Sequence, residues 1–343
     1  MTHNPPDSSS GTEPGAPSAT AVGLDLHDSV GLPRTIDTAH IEQALDAWEH
    51  LFGRISVLLR VDRPDGAWVD TFTELAAQAR ALALQDPDLA LFVLIQSTGT
   101  QVDHYSEHHA MACLVICELA ALWMDGPEEE RQSLALAALS MNLSMTTLQD
   151  TLAERNGPLS QPQRERVDAH AAQSADLLSS AGVGNALWLD LVRHHHTVYG
   201  PQAVSAQEPT PRLAELLRRV DIYLAKLSQR GARDSVTPAK AARDACLDSD
   251  GHPDSIGATL LRVIGLYPPG TYVELANGET GVVIQRGSKA HTPMVASVRR
   301  HDWGLIKPPQ LRDTSRPGLA VKRGVEPGHV RVLFDHFHLL ACK

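Results

Sequence analysis

The sequence is short of aromatic residues, which make up 4% of it, so Leu, Ala and Val must fill most of any core. It has only four cysteines, Cys113, Cys117, Cys246 and Cys342, and none of their spacings is of the zinc-binding type. Cys113 and Cys117 stand four apart on an expected helix and read as small buried hydrophobes rather than a redox pair. No stretch approaches the roughly 18 uncharged apolar residues of a membrane span, and the amino end lacks a basic and apolar signal pattern. The expectation is a reduced, cytoplasmic, soluble protein. Basic residues are outnumbered, 30 against 41 acidic, for a formal net charge of −11. That argues against non-specific nucleic-acid binding and against an anionic membrane surface. A small anionic ligand in a locally basic pocket remains compatible with it.

What is present is a hydrophobic fraction of 43% over 343 residues, enough for a substantial core and about two domains. Residues 1–22 are rich in Pro, Ser, Gly and Thr and read as disordered, and the tail is taken to run over 1–35. A helical region follows over 36–100. Asp37 or Thr38 caps its first helix, and Ile41, Ala44, Leu45, Trp48, Leu51, Phe52, Ile55, Leu58 and Leu59 form an apolar stripe. Two more helices are expected near 69–84 and 87–99. This front part carries no convergent polar set, so its task is packing, on the rest of the chain or on a second copy.

The stretch 103–124 reads as a helix, with His104, His108 and His109 at or before its first turn, where exposed histidines are common. Residues 134–148, LALAALSMNLSMTTL, contain no charge. The steps from Leu134 through Ala138, Met141 and Met145 to Leu148 predict one helix buried on most sides. Asn142 is its odd member, either a hydrogen-bond node or part of a pocket.

The organising stretch is 163–200, QRERVDAHAAQSADLLSSAGVGNALWLDLVRHHHTVYG. Helical spacing of Val167, His170, Ala171, Ser174, Leu177 and Leu178 aims His170 at the apolar face. Leu187, Trp188, Leu191 and Val192 lead one turn on to His194 and His195. Three imidazoles from two helices thus point inward, as in helical metal sites. Core histidines satisfied by hydrogen bonds are the alternative.

On the helix after the 200–210 loop, Asp221 borders the apolar face. It is placed either to reach the histidines or to pair with Arg218 or Arg219. Arg218, Arg219, Lys226, Arg230 and Arg233 make this region locally basic, usually the sign of a solvated face. Helices near 238–248 and 255–266 complete the helical part, 101–268. The rest, 269–343, changes period. TYVELANGETGVVI alternates around Asn277–Gly278, a hairpin signal, and MVASVRR and HVRVLF read as strands of a small β appendage.

Six fragments, in order, resemble the HD-GYP family, bacterial HD-superfamily hydrolases that act on cyclic di-GMP through a centre of two or three irons. They are YSEHH at 105–109, AALSMNLSM at 137–145, PLSQPQRERVDAH at 158–170, HHHTVYG at 194–200, RRVDIYLAKL at 218–227 and GLYPPGTYVELANGETGVV at 265–283. The resemblance implies a mainly α fold: an HD-superfamily helical bundle, with the helical N-terminal region before it and the small β appendage after it. It also implies that His109, His170, His194, His195 and Asp221 sit at ligand positions.

Four positions depart from the family pattern. Met141 and Asn142 stand where the family has its His-Asp pair, Met145 where it has a lysine on substrate phosphate, and His196 where a Glu follows the paired histidines. The GYP tripeptide is absent after Gly200. Thioether and amide cannot replace imidazole and carboxylate for hard or borderline ions. A dinuclear centre lacks its anionic bridge, but a single Fe, Mn or Zn ion on surviving histidines stays open.

The resulting expectation is a non-catalytic or weakly active signalling or scaffold protein with a nucleotide ligand or a protein partner in cyclic di-GMP signalling. The alternative is a metal-dependent phosphodiesterase with a rebuilt site, in which His196 adds a nitrogen ligand and His108 or His104 substitutes elsewhere. A metal-free structural role for the histidines ranks third. A homodimer through the Trp48 helix or the other front helices is compatible with all three.

Overall fold

The computed structural model describes residues 37–100, 104–155, 157–199, 208–228, 236–247, 250–302, 304–326, 330 and 335–342. The expected disordered tail, most of the 200–210 loop, Arg230, Arg233 and all of HVRVLF but Val330 lie outside the described residues.

The chain is mainly helical, with a small antiparallel sheet after the helices. The front helices are α1 (Thr38–Leu59), α2 (Gly66–Gln85) and α3 (Pro87–Thr100). Asp37 caps α1, its carboxylate accepting from the backbone N–H groups of Ala39 and His40. The predicted stripe is buried at Ile41, Ala44, Trp48, Leu51, Ile55 and Leu59.

The axis of the bundle is α4 (Tyr105–Trp123), buried without interruption from Tyr105 to Ala121. Helices α1, α2, α3 and α5 (Glu128–Ser140) pack around it, with α6 (Thr146–Glu154), α9 (Pro209–Leu227) and α11 (Ser255–Ile264). A helix buried all round must neutralise its charges internally. Glu118 takes a two-pronged hydrogen bond from Arg80, at 2.7 and 3.2 Å. Glu107 pairs with Arg60, which also reaches Asp150.

The uncharged stretch 134–148 is not one helix. After α5 a turn at Met141–Asn142 and a tight 3-10 turn at Leu143–Met145 precede α6. Local hydroxyls compete with the helical ladder. Ser140 Oγ donates to the Leu136 carbonyl, and the Ser144 N–H donates to Ser174 Oγ on α7 (Gln161–Ser180). The apolar pattern predicted burial correctly but not continuity.

After α8 (Ala186–His194), α9, α10 (Pro238–Cys246) and α11 come, among the described residues, five strands: β1 (Tyr272–Leu275), β2 (Thr280–Gln285), β3 (Met294–Arg299), β4 (Leu305–Asp313) and β5 (Val321–Val325). Their order is β4-β3-β2-β1-β5, and every pairing is antiparallel. The Asn277–Gly278 hairpin stands as predicted. A short helix, α12 (His336–Leu340), follows.

One face of the sheet, with Tyr272, Val282, Ile284, Ala296 and Val298, joins the helical core. Val273, Leu275, Val283 and Val295 form a smaller cluster on the other. Gln96 donates to the Tyr272 hydroxyl at 2.7 Å, and Arg286 pairs with the buried Asp88 at 2.6 Å. Gly270 lets the backbones approach: a Cβ there would meet the Phe92 carbonyl oxygen at 2.7 Å, and its φ is +91°. No helix among the described residues is long and apolar enough to cross a membrane.

Phe72 of α2 is fully buried, with its ring stacked on Trp68 at 4.4 Å and parallel to Trp188 of α8 at 6.0 Å. It links the front helices to the helix that leads into the histidine triplet. Phe72→Ala is expected to lower unfolding stability by about 3–5 kcal/mol. Urea denaturation checks it, and a loss below about 1 kcal/mol would mean that the front helices do not support α8.

Candidate metal centre

Helix α7 starts in a capping box between Ser160 and Gln163, with a proline in its first turn, and turns His170, Ser174, Ala175 and Leu178 inward. Asn185 caps α8, which buries Trp188, Leu191 and Val192 and ends at His194. Trp188 is held by a 2.9 Å hydrogen bond from its indole N–H to Ser140 Oγ. His195 is the C-cap of α8 and His196 lies in the turn after it.

Three imidazoles converge there. His170 Nε2 lies 3.1 Å from His195 Nε2 and 3.2 Å from His196 Nε2. His170 Nδ1 donates to the Val167 carbonyl, and His195 Nδ1 to the Val192 carbonyl at 2.7 Å. A carbonyl only accepts, so each Nδ1 carries the proton and each neutral ring presents a bare Nε2 lone pair. Two such acceptors face each other, and a direct hydrogen bond between them requires one ring to be an imidazolium. Burial opposes that charge. It pushes His195 down to about 3, with the neighbouring His196 acting in the same direction. Burial lowers His170 too, against the opposing influence of its bond to Val167.

A cation other than a proton would resolve the contact. Metal–nitrogen bonds of about 2.0–2.1 Å put adjacent imidazole nitrogens about 2.9–3.4 Å apart, depending on geometry. The observed separations fall in that range. The carbonyls on Nδ1 fix tautomer and ring orientation, as partners of metal-ligating histidines do. His170 and His195 are buried and His196 is exposed, so one side of the set opens to solvent.

Beside it lies a second set, His109, Cys113 and Asp221, with potential ligand atoms within 4.8 Å of one another. Here hydrogen bonds suffice. The Tyr105 hydroxyl approaches His109 Nδ1 at 3.3 Å, and His109 Nε2 donates to Asp221 Oδ1 at 2.8 Å. Burial opposes the charge on Asp221, but the bond from His109 holds its carboxyl well below the usual range. Cys113 Sγ is 3.5 Å from His109 Nε2, and burial, with Asp221 nearby, pushes its thiol well up.

Of the positions read from sequence, His170 and His195 come together, while His109 and Asp221 form the adjoining pair. His194 does not join them: it is half-buried, with Nδ1 3.4 Å from Thr197 Oγ1. His196, read as a departure, takes the third place. Met141 is 1% exposed within the hydrophobic core, Asn142 is buried and Met145 half-buried. Arg218 and Arg219 pair with Glu215 rather than Asp221, and Arg219 also pairs with Asp254. His108 is buried rather than exposed, stacked on Phe52 at 4.1 Å, and burial pushes it down to about 4. His104 is exposed and in the left-handed region, at φ 59°. Cys113 was read only as a hydrophobe. Its place one helical turn after His109 was the available signal.

No protein-family model and no solved structure matches the chain. Among curated proteins it is similar to a cyclic di-GMP phosphodiesterase of Pseudomonas aeruginosa, 26% identical over 260 residues, which are 74% of this chain and 62% of that protein. The chain therefore matches less than two thirds of that relative's length. The activity in the relative's name is the one the HD-GYP resemblance implies.

The buried neutral rings make stability depend on pH. In the unfolded chain a histidine takes its proton near the ordinary 6.5, whereas folded His108 and His195 resist to about 4 and about 3. Between these limits the unfolded state binds more protons, so stability falls as pH falls. With a chelator present, the urea midpoint is expected to drop steadily from pH 6.5 to pH 4. A flat midpoint would show that the folded protein already carries these protons.

Proposed function

We propose that this chain is an HD-GYP-like protein of cyclic di-GMP signalling that holds one transition-metal ion on His170, His195 and His196 and turns over cyclic di-GMP weakly or not at all. The observation that carries the metal is the 3.1 Å contact between the Nε2 atoms of His170 and His195, whose Nδ1 protons are both committed to carbonyls. The 26% identical phosphodiesterase supports the signalling class. All-nitrogen donors suit Fe or Zn better than the oxygen-preferring Mn, with zinc favoured by three imidazoles and one open side.

A bound ion would supply Lewis acidity toward a phosphoryl oxygen. The chain's own residues do the rest. Val167 and Val192 keep the Nε2 lone pairs of His170 and His195 directed inward. Tyr105 and His109 hold the Asp221 carboxylate ionised beside the triad. Two steps of catalysis lack a residue. Asn142 is a neutral amide where a carboxylate would bridge two cations, and Met145 offers no charge to a substrate phosphate. A protein that binds the nucleotide, or a partner, without consuming it is the reading these positions favour. The competing reading, a metal-dependent phosphodiesterase with a rebuilt site, draws on one observation: His196 replaces His194 in the triad on its solvent-facing side.

Metal analysis of tag-free protein separates the outcomes. About one Fe, Mn or Zn per chain is expected, retained in His194→Ala and lost in His195→Ala. Hydrolysis of cyclic di-GMP should be near background and should rise about tenfold or more in a Met141→His, Asn142→Asp variant. Linearisation at an ordinary enzymatic rate by the unmodified protein, lost on chelation, would overturn the non-catalytic reading in favour of the rebuilt enzyme. Absence of metal in every form would overturn both.

A further inference from the structure

A second site lies on the β appendage. A groove of 480 Å³ is lined by residues from β1, β2, β3 and β5, by the hairpin at Gly278 and by Thr237 at the start of α10. None of its residues belongs to either histidine set.

The sheet register builds its floor. Arg323 of β5 pairs with Glu274 of β1, Glu274 with Thr280 of β2, and Thr280 with Arg299 of β3. Cross-strand partners share a face, so these four side chains form one row across four strands. The row continues the face that packs on the helices through Tyr272 and Val282, at the point where that apolar contact ends. Arg300, His301 and Lys322 extend it. A Cβ at Gly278 would meet His301 Cβ at 2.7 Å, so this glycine brings the hairpin against His301 and closes the groove wall.

The charge is unusual for this chain. Four cations, Arg299, Arg300, Lys322 and Arg323, face two carboxylates, Glu274 and Glu326, in a protein of net charge −11. Glu274 alone holds both Lys322 and Arg323, each at 2.6 Å. Arg300 and His301 are exposed and have no ion pair among the described residues. Guanidinium groups that converge on a small groove match the oxygens of a multiply charged phosphoryl group. The groove lies within the roughly 300–1,000 Å³ range of small-molecule sites. The negative charge of the whole chain opposes a long nucleic acid there.

We propose that this groove binds a small phosphoryl compound, such as a nucleotide or a phosphate ester, with Arg299, Arg300 and Arg323 on its charged oxygens and Glu274 as the built-in competitor for Lys322 and Arg323. The test is calorimetric titration of the full chain with inorganic pyrophosphate. A His195→Ala background with chelator present removes the histidine triad from the readout.

Saturable binding is expected, weakened about tenfold or more by Arg300→Glu. Glu274→Gln should act in the opposite direction and tighten it about threefold, because it releases two cations. Unfolding midpoints equal to that of the parent show that both surface variants are folded. Failure of the parent to bind pyrophosphate, or binding indifferent to Arg300→Glu, overturns the proposal. So does binding of a single-stranded oligonucleotide without any binding of pyrophosphate.

Discussion

A helix buried on every side sets the terms for the rest of this protein. From Tyr105 to Ala121, α4 has no solvent-facing stripe, so each of its polar side chains needs a partner within the bundle. Arg80 meets Glu118 from α2 and Arg60 meets Glu107 from the end of α1. Asp221 meets His109 from α9. These contacts fix the positions of the surrounding helices, since breaking one leaves a charge or an imidazole stranded in a medium of low dielectric. The front helices are thus more than a cover. They carry the counter-ions that allow α4 to be buried at all.

The same burial separates two sets of donors that composition alone would not distinguish. His109 and Asp221 form a closed arrangement: a hydroxyl, an imidazole and a carboxylate, each with a hydrogen-bond role that matches its neighbour. His170, His195 and His196 do not close. The backbone partners of His170 and His195 take the Nδ1 protons of both rings, and burial opposes the extra proton that would join their Nε2 atoms. A set of donors that is satisfied without a cation is weak support for one, and a set that is frustrated without one is stronger support. Adjacent as they are, the two sets lead to different conclusions about metal.

Much of this was legible in the residues. The Trp48 stripe, the inward His170, the Asn277–Gly278 hairpin and the change from helix to strand period each express a local rule that the tertiary structure obeys. The misses arise where one local rule gives way to another. Periodicity along α8 put His194 and His195 inside; the helix ends at a half-buried His194, and the turn after it brings His196 in beside His195. Apolar spacing from Leu134 to Leu148 concealed a break made by serine hydroxyls. Strands β4 and β5 were not read because Pro308, Pro309, Lys322 and Arg323 suit edge strands and mask the alternation. His108 was placed at the surface because helix starts are usually exposed, yet α1 covers this one through Phe52.

Met141 on one side of the site, and His170 and His195 on the other, are held in different ways. Met141 sits in the hydrophobic core at 1% exposure, where a thioether fills space without an unmet polar group. An imidazole in its place would need a metal or a hydrogen-bond partner to offset its desolvation. A methionine at this position makes no such demand. His170 and His195 are anchored differently. Each is bonded to the carbonyl three residues earlier, so its orientation belongs to its own helix rather than to a metal. That side of the site keeps its geometry whatever happens at 141 and 142. On the proposal of a metal on these imidazoles, their anchoring to their own backbone leaves the Nε2 atoms poised for one cation without any contribution from Met141 or Asn142.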